Sequence, residues 1–222
     1  MRKLALSALA KMLAGLFLIG LLLFLPAGSV CYPGAWLFIG LLFVPMTMLG
    51  LFLLFKSPSL LTRRLNHKEK EKTQRGVLKL AGLMFLSGFV VSALDFRFSL
   101  SHVPLWLTVV SSVLFLVGYA MYAEVMRENA YLSRAVEVQE GQRVISTGLY
   151  AVVRHPMYLA TLLMFLPLAL ILSSFWGLIP FLFYPVLIVI RIVNEEKVLS
   201  SGLEGYAEYK ARVKYRLIPL IW

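Results

Sequence analysis

PLWLTVVSSVLFLVGYAMYA, Pro104 to Ala123, runs for twenty residues without a charged side chain. Roughly 20 mostly apolar residues are what an α-helix needs to cross the hydrocarbon core of a bilayer. Lipid offers no partner for backbone polar groups, so such a run must satisfy its own and reads as a spanning helix. Working outward, comparable runs lie near Leu4–Leu25, Ala35–Phe55, Val77–Leu94, Pro156–Leu172 and Trp176–Val193. The 222 residues are 60% hydrophobic and only 15% charged, with a mean hydropathy of +0.82. That balance excludes an ordinary soluble domain. The expected fold class is all-α, a polytopic membrane helical bundle with about five to six transmembrane helices.

The first run follows Arg2 and Lys3, as a signal peptide would, but nothing after Pro26 resembles a small-x-small cleavage site. The residues before Cys31 (GSV) fit a lipoprotein signal poorly. The last two runs contain Pro167, Pro180 and Pro185 and are parted only around Ser173–Ser174, which predicts a kinked hairpin. With Cys31 alone, neither an internal disulfide nor a multi-cysteine zinc site can form. His67, His102 and His155 stand too far apart for metal-ligand spacing, so no metal is expected.

The formal charge of +11 points to lipid head groups and cytoplasmic loops rather than to nucleic acid. Lys56–Lys79 carries Lys56, Arg63, Arg64, Lys68, Lys70, Lys72, Arg75 and Lys79, whereas Pro26–Gly34 and Ser173–Phe175 carry no charge. The positive-inside rule then puts both termini and this basic loop in the cytoplasm, the loop against anionic lipid heads. The membrane would be the plasma membrane of a prokaryote or the endoplasmic reticulum of a eukaryote. Two regions follow: 1–127, four spans with the basic loop 56–79, and 128–222, an interfacial segment, a helical hairpin and a C-terminal amphipathic helix. Asp95, Arg97 and His102 fall on the opposite side and read as a solvated turn, and His67 as a solvated residue of the basic loop.

The polar residues gather in two segments on the cytoplasmic side. Glu128–Pro156 ends in GLYAVVRHP, where Arg154 and His155 suit a membrane border, Pro156 suits a first helical position and Tyr158 an interfacial belt. Arg191–Pro219 begins with Arg191 and Glu195, four apart on one helical face and able to pair. Glu195 and Glu196 sit poorly with plain anchoring, because a membrane edge favours cations. Tyr206, Tyr209 and Arg212 recur at three-residue spacing on a short amphipathic helix that, taken alone, reads as an interfacial anchor. The hairpin folds one segment against the other, gathering cations, carboxylates and tyrosines at one border.

Taken together, Gly148, Tyr150, Arg154-His155-Pro156 and Tyr158, then Arg191 and Glu195-Glu196, then Tyr206, Tyr209 and Arg212, resemble the isoprenylcysteine carboxyl methyltransferases and the related phospholipid methyltransferases. The likeness covers Val136–Pro219. It departs at Ala160, where glycine is usual, at Leu203-Glu204 and at Lys214. It implies an integral membrane enzyme that holds S-adenosylmethionine in a C-terminal, cytosol-facing pocket and methylates a lipid-like or prenylated acceptor from the bilayer. The cofactor positions it implies are Gln139, Gln142, Arg143, Val144, Ile145, Tyr150, His155, Pro156, Met157, Tyr158 and Glu195. Arg191 would orient the acceptor, and Glu195 or Glu196 would serve as base if the acceptor were an amine. A carboxylate acceptor, the favoured reading, needs no strong base. Phospholipid N-methylation and a nicotinamide-dependent membrane reductase with more spans are the alternatives. A non-enzymatic carrier would place paired charges near the midplane of its spans, and the runs above hold none.

Overall fold

The computed structural model describes residues 2–65, 72–133, 136 and 138–222. His67, Lys68 and Lys70 lie outside the described residues. Among the described residues ten α-helices follow in order: α1 (Arg2–Ala27), α2 (Pro33–Lys56), α3 (Pro58–Leu65), α4 (Lys72–Phe98), α5 (Leu105–Glu128), α6 (Pro156–Phe165), α7 (Leu168–Ile171), α8 (Leu178–Phe181), α9 (Tyr184–Gly202) and α10 (Tyr206–Arg212). No strand occurs among the described residues. Among the described residues five helical stretches are long and apolar enough to cross a membrane: α1, α2, α4, α5 and the α8–α9 stretch Leu178–Gly202. The bundle is polytopic and all-helical, as the apolar runs dictate.

The hairpin is asymmetric. Its first arm, Pro156–Ile171, is apolar but short; at 1.5 Å per residue it reaches about 24 Å, less than the ~30 Å of a hydrocarbon core. Pro167 interrupts that arm between α6 and α7, and Ser173 turns the chain with a φ of 56°. The returning arm breaks between Phe181 and Tyr184, just ahead of Pro185.

Close approach of α5 and α6 decides where the site sits. A Cβ on Gly118 would lie 2.7 Å from the Ala160 carbonyl oxygen and 2.8 Å from Met164, so only glycine lets the two backbones meet. Ala160, fully buried, can therefore stand where a glycine is usual, because the space comes from the facing helix. Phe85, Phe89, Phe165, Phe181 and Tyr184 interlock edge-to-face between α4, α6, α8 and α9. The outer faces stay apolar and bare, with Phe17, Phe55 and Leu105 each more than 70% exposed, as a surface solvated by lipid chains requires.

The last turn of α4 corrects one expectation. Arg97 and His102 are exposed, but Asp95 is buried. Its carboxylate accepts from the backbone N–H of Ser101 at 2.8 Å and from the hydroxyls of Ser101 and Ser174. Where a short loop and the hairpin turn shield their donors from water, a buried acceptor satisfies them. Nearby, the Tyr32 hydroxyl donates to the Leu172 carbonyl, tying the start of α2 to the end of α7.

Candidate active site

The site is built at the other end of α4, where the Gln74 side-chain amide donates to the Arg191 carbonyl. Glu128 and Asn129 end α5 and hold the turn Gly148–Ala151. A Cβ on Gly148 would fall 1.4 Å from Glu128 Oε1, and the residue has a φ of 49°, so glycine is required here on both counts. The same carboxylate accepts from Leu149 N–H at 3.2 Å. Asn129 donates to the Tyr150 hydroxyl at 2.9 Å, and Tyr209 donates to the Tyr150 carbonyl at 2.8 Å. Tyr150 is thus fixed at both ends. Burial raises its phenol well above the ordinary tyrosine range and lifts that of Tyr209 to about 12. Both therefore remain neutral hydrogen-bonding groups at neutral pH.

The Arg-His-Pro stretch is more than border punctuation. Arg154 is buried, and its Nε donates to Glu196 Oε1 at 2.7 Å while its Nη1 donates to the carbonyls of Val213 and Lys214 at 2.8 and 3.0 Å. Arg216 Nε donates to the other oxygen of Glu196 at 2.9 Å, and His155 Nε2 lies 3.4 Å from the first. Two backbone bonds, Arg154 N–H to Tyr215 and His155 N–H to Arg216, both 2.9 Å, lay the tail 213–217 along the start of α6. One buried carboxylate therefore joins α9, the start of α6 and the tail. Pro156 takes the first position of α6, as expected.

Above this latch lies a cleft. It is lined by Gln142, Arg143, Val144, Ile145, Tyr150, His155, Pro156, Met157, Tyr158 and Glu195, together with Arg191. Gln139 is not among its walls: its amide donates to the Tyr131 carbonyl and its N–H to Gln142 Oε1, shaping the loop that presents Gln142. Glu195 lines the cleft and Glu196 does not. With its oxygens committed to Arg154 and Arg216, Glu196 is placed as a fastener and is poorly suited to take a proton from substrate. The Arg191–Glu195 pair also differs from expectation, because Tyr158 stands between them. Arg191 Nε donates to the Tyr158 hydroxyl at 2.9 Å, and that hydroxyl donates to Glu195.

Sequence reasoning did not reach Asn129, Tyr131 and Leu199, which also line the cleft, and met Leu203 only as a departure from the likeness. Asn129, directly after the last helical residue of α5, carries no local pattern that would mark it. Tyr206 and Tyr209 are buried against Val144, Leu199 and Leu203, so α10 spends its apolar face inside the protein rather than as an anchor. The Tyr206 hydroxyl is buried at the cleft without a hydrogen-bond partner among the described residues.

A second, roomier cavity of about 560 Å³, against about 100 Å³ for the cleft, opens among the helices. Its walls come from α2, α3, α4, α5, α6 and α9 and are mainly apolar, with Met46, Leu78, Met164, Phe165 and Tyr184 among them. Ser133, Met157 and Arg191 line both spaces. Residues 106–204, from α5 through the hairpin to α9, match the family model of the phospholipid methyltransferases. That segment, rather less than half of the chain, is similar to this family. The cleft and latch fall mostly within the matched residues, while α1–α4, α10 and the tail 213–217 lie outside them. No curated protein matches the chain.

Proposed function

We propose that this protein is a membrane methyltransferase that uses S-adenosylmethionine, held in the cleft, to methylate a lipid-like acceptor seated in the adjoining cavity, a carboxylate being the preferred methyl-accepting group. The observation that carries the reading is Arg191, whose side chain lines both spaces and is held by Tyr158. The cleft suits such a cofactor chemically. Gln142 and the Tyr206 hydroxyl, unpartnered among the described residues, offer polar contacts, Glu195 offers a carboxylate to an ammonium or ribose, and the phenol rings offer π faces to a cation. When bound, S-adenosylmethionine would supply a methyl group already activated on a sulfonium.

The residues then have three tasks. Arg191 orients an acceptor carboxylate through its planar fork, which fixes the angle of attack. Tyr158 keeps that guanidinium in place and links it to Glu195. The tail and α10 close over the start of α6 and exclude water, so alignment rather than proton transfer carries the rate. A carboxylate acceptor is anionic at neutral pH and needs no base. The family description favours a second reading, a phospholipid amine as acceptor. For that chemistry Glu195, the one carboxylate among the described residues of the cleft, is the proton acceptor in place of Glu196. Both readings place the cleft and both termini on the cytoplasmic face.

The test is incubation of the purified protein in detergent with radiolabelled S-adenosylmethionine and total membrane lipid. Label released as volatile methanol by mild base marks a carboxyl ester; base-stable label on a head group marks N-methylation. No cofactor-dependent rise in melting temperature and no labelled lipid would remove the proposal.

A further inference from the structure

We propose that Arg64 is a second anion anchor for the occupant of the helix cavity, so that the part of the chain outside the family match selects an acceptor bearing a head-group oxyanion, carboxylate or phosphate. The proposal rests on the acceptor reading above. Arg64 lies on α3, the short helix after α2, and lines the cavity together with Arg191. Its Nη1 donates to the Ser133 carbonyl at 3.2 Å, its Nη2 donates to the Tyr122 hydroxyl, and its guanidinium sits 5.3 Å from the Tyr122 ring centre. Ser133 is one of the side chains shared by both spaces, so Arg64 is held beside the junction where the acceptor's reactive end must sit. An arginine keeps its charge in any protein environment and presents several donors in a rigid plane.

The rest of the lining fits a tail. Leu42, Met46, Leu78, Met164 and Phe165 form it, and no aspartate or glutamate is among the described residues there. Two guanidiniums over apolar walls complement an amphiphile that is anionic at its head, and Arg191 alone would suffice for a simple carboxylate. Sequence position gives Arg64 a bland reading as one charge of a cytoplasmic basic loop. That reading does not explain why it is half-buried against Tyr122, whereas its neighbour Arg63 is exposed and reaches Ala130.

The experiment measures binding, so it stands apart from methyl transfer. Full-length protein in discs of uncharged phosphatidylcholine is titrated with oleate, oleoyl lysophosphatidate and neutral monoolein, and bound lipid is counted by native mass spectrometry. Wild type should bind at least one anionic probe about tenfold or more tightly than monoolein, and the preferred probe distinguishes carboxylate from phosphate. Arg64→Gln should weaken that probe about tenfold and leave monoolein within twofold, and Arg64→Lys should recover part of the loss. Tyr122→Phe, which removes only the hydroxyl that holds the guanidinium, should shift affinity in the same direction by less and decides the matter if Arg64→Gln fails to fold. Equal wild-type affinity for all three probes, or a loss that monoolein shares, overturns the anchor. Absence of methyl transfer from S-adenosylmethionine with the binding pattern intact would instead sink the methyltransferase reading and leave the anchor standing.

Discussion

Replacing Glu196 by alanine separates a fastener from a base. In the folded protein its carboxylate accepts from Arg154 at 2.7 Å and from Arg216 at 2.9 Å, with His155 beside it. Removing it leaves the buried Arg154 guanidinium with only the carbonyls of Val213 and Lys214. Breaking a buried pair by deleting one partner costs about 3–5 kcal/mol, mainly the cost of an uncompensated charge. In a chain of this length each kcal/mol moves the midpoint by about 2–4 °C, so Glu196→Ala should melt on the order of 10 °C lower. Glu196→Gln keeps the shape and one acceptor but turns an amide donor toward a guanidinium, and should lose about half as much. The assay is thermal unfolding in a single detergent, followed by cofactor titration and turnover per folded molecule at a temperature where both variants remain folded. Cofactor affinity should fall in step with stability, because the latch holds the wall of the cleft. A normal melting temperature with turnover reduced by two orders of magnitude or more would refute this reasoning and return Glu196 to the role of base.

The other expectations are simpler. Arg191→Ala should cut kcat/KM about a hundredfold, the scale of losing an aligned charged contact, while cofactor affinity stays within about threefold; Arg191→Lys should recover only part, and enzyme kinetics beside calorimetry check both. Gly148→Ala should destabilise by about 2 kcal/mol or more, from the left-handed backbone and the displaced Glu128 carboxylate, and reduce cofactor affinity as Tyr150 loses its support. Asp95→Ala should cost about 3 kcal/mol by stranding the Ser101 and Ser174 donors, yet leave cofactor affinity unchanged. The site lies about 30 Å away along α4, so altered affinity in that variant would contradict the separation. Cysteines placed at Ser29 and Lys214 in a Cys31-free protein should label from opposite sides of the membrane; labelling from one side would overturn the threading.

The bundle was legible because a bilayer imposes a length and a polarity on each helix, and runs such as Pro104–Ala123 meet both without help from distant residues. The cleft was legible for a different reason. Gly148, Tyr150, His155 and Tyr158 sit at fixed spacings, and Glu195 follows one apolar hairpin later. What adjacency hid was the direction of side chains. Glu195 and Glu196 are neighbours in sequence, and a helix turns about 100° between them, so one faces the cleft and the other the tail; nothing local says which. Asp95 read as part of a solvated turn and Arg154 as a border charge because their partners, Ser174 and Glu196, come from segments far along the chain. Arg64 was hidden for the same reason, as one cation among several in a basic stretch. Long-range polar pairing leaves no period in the sequence, whereas burial in lipid does.

The tail bonded along Arg154 and His155 has a consequence for biogenesis. All five long apolar helices emerge from the ribosome before residues 213–217, so membrane insertion can be complete while the cleft still lacks its closing side. Until Tyr215 and Arg216 arrive, Glu196 faces Arg154 without its second guanidinium, and the backbone N–H groups of Arg154 and His155, just ahead of α6, lack their carbonyl partners. A chain interrupted after Arg212 should therefore pass every check that reads hydrophobicity and accumulate in the membrane with its cleft unclosed.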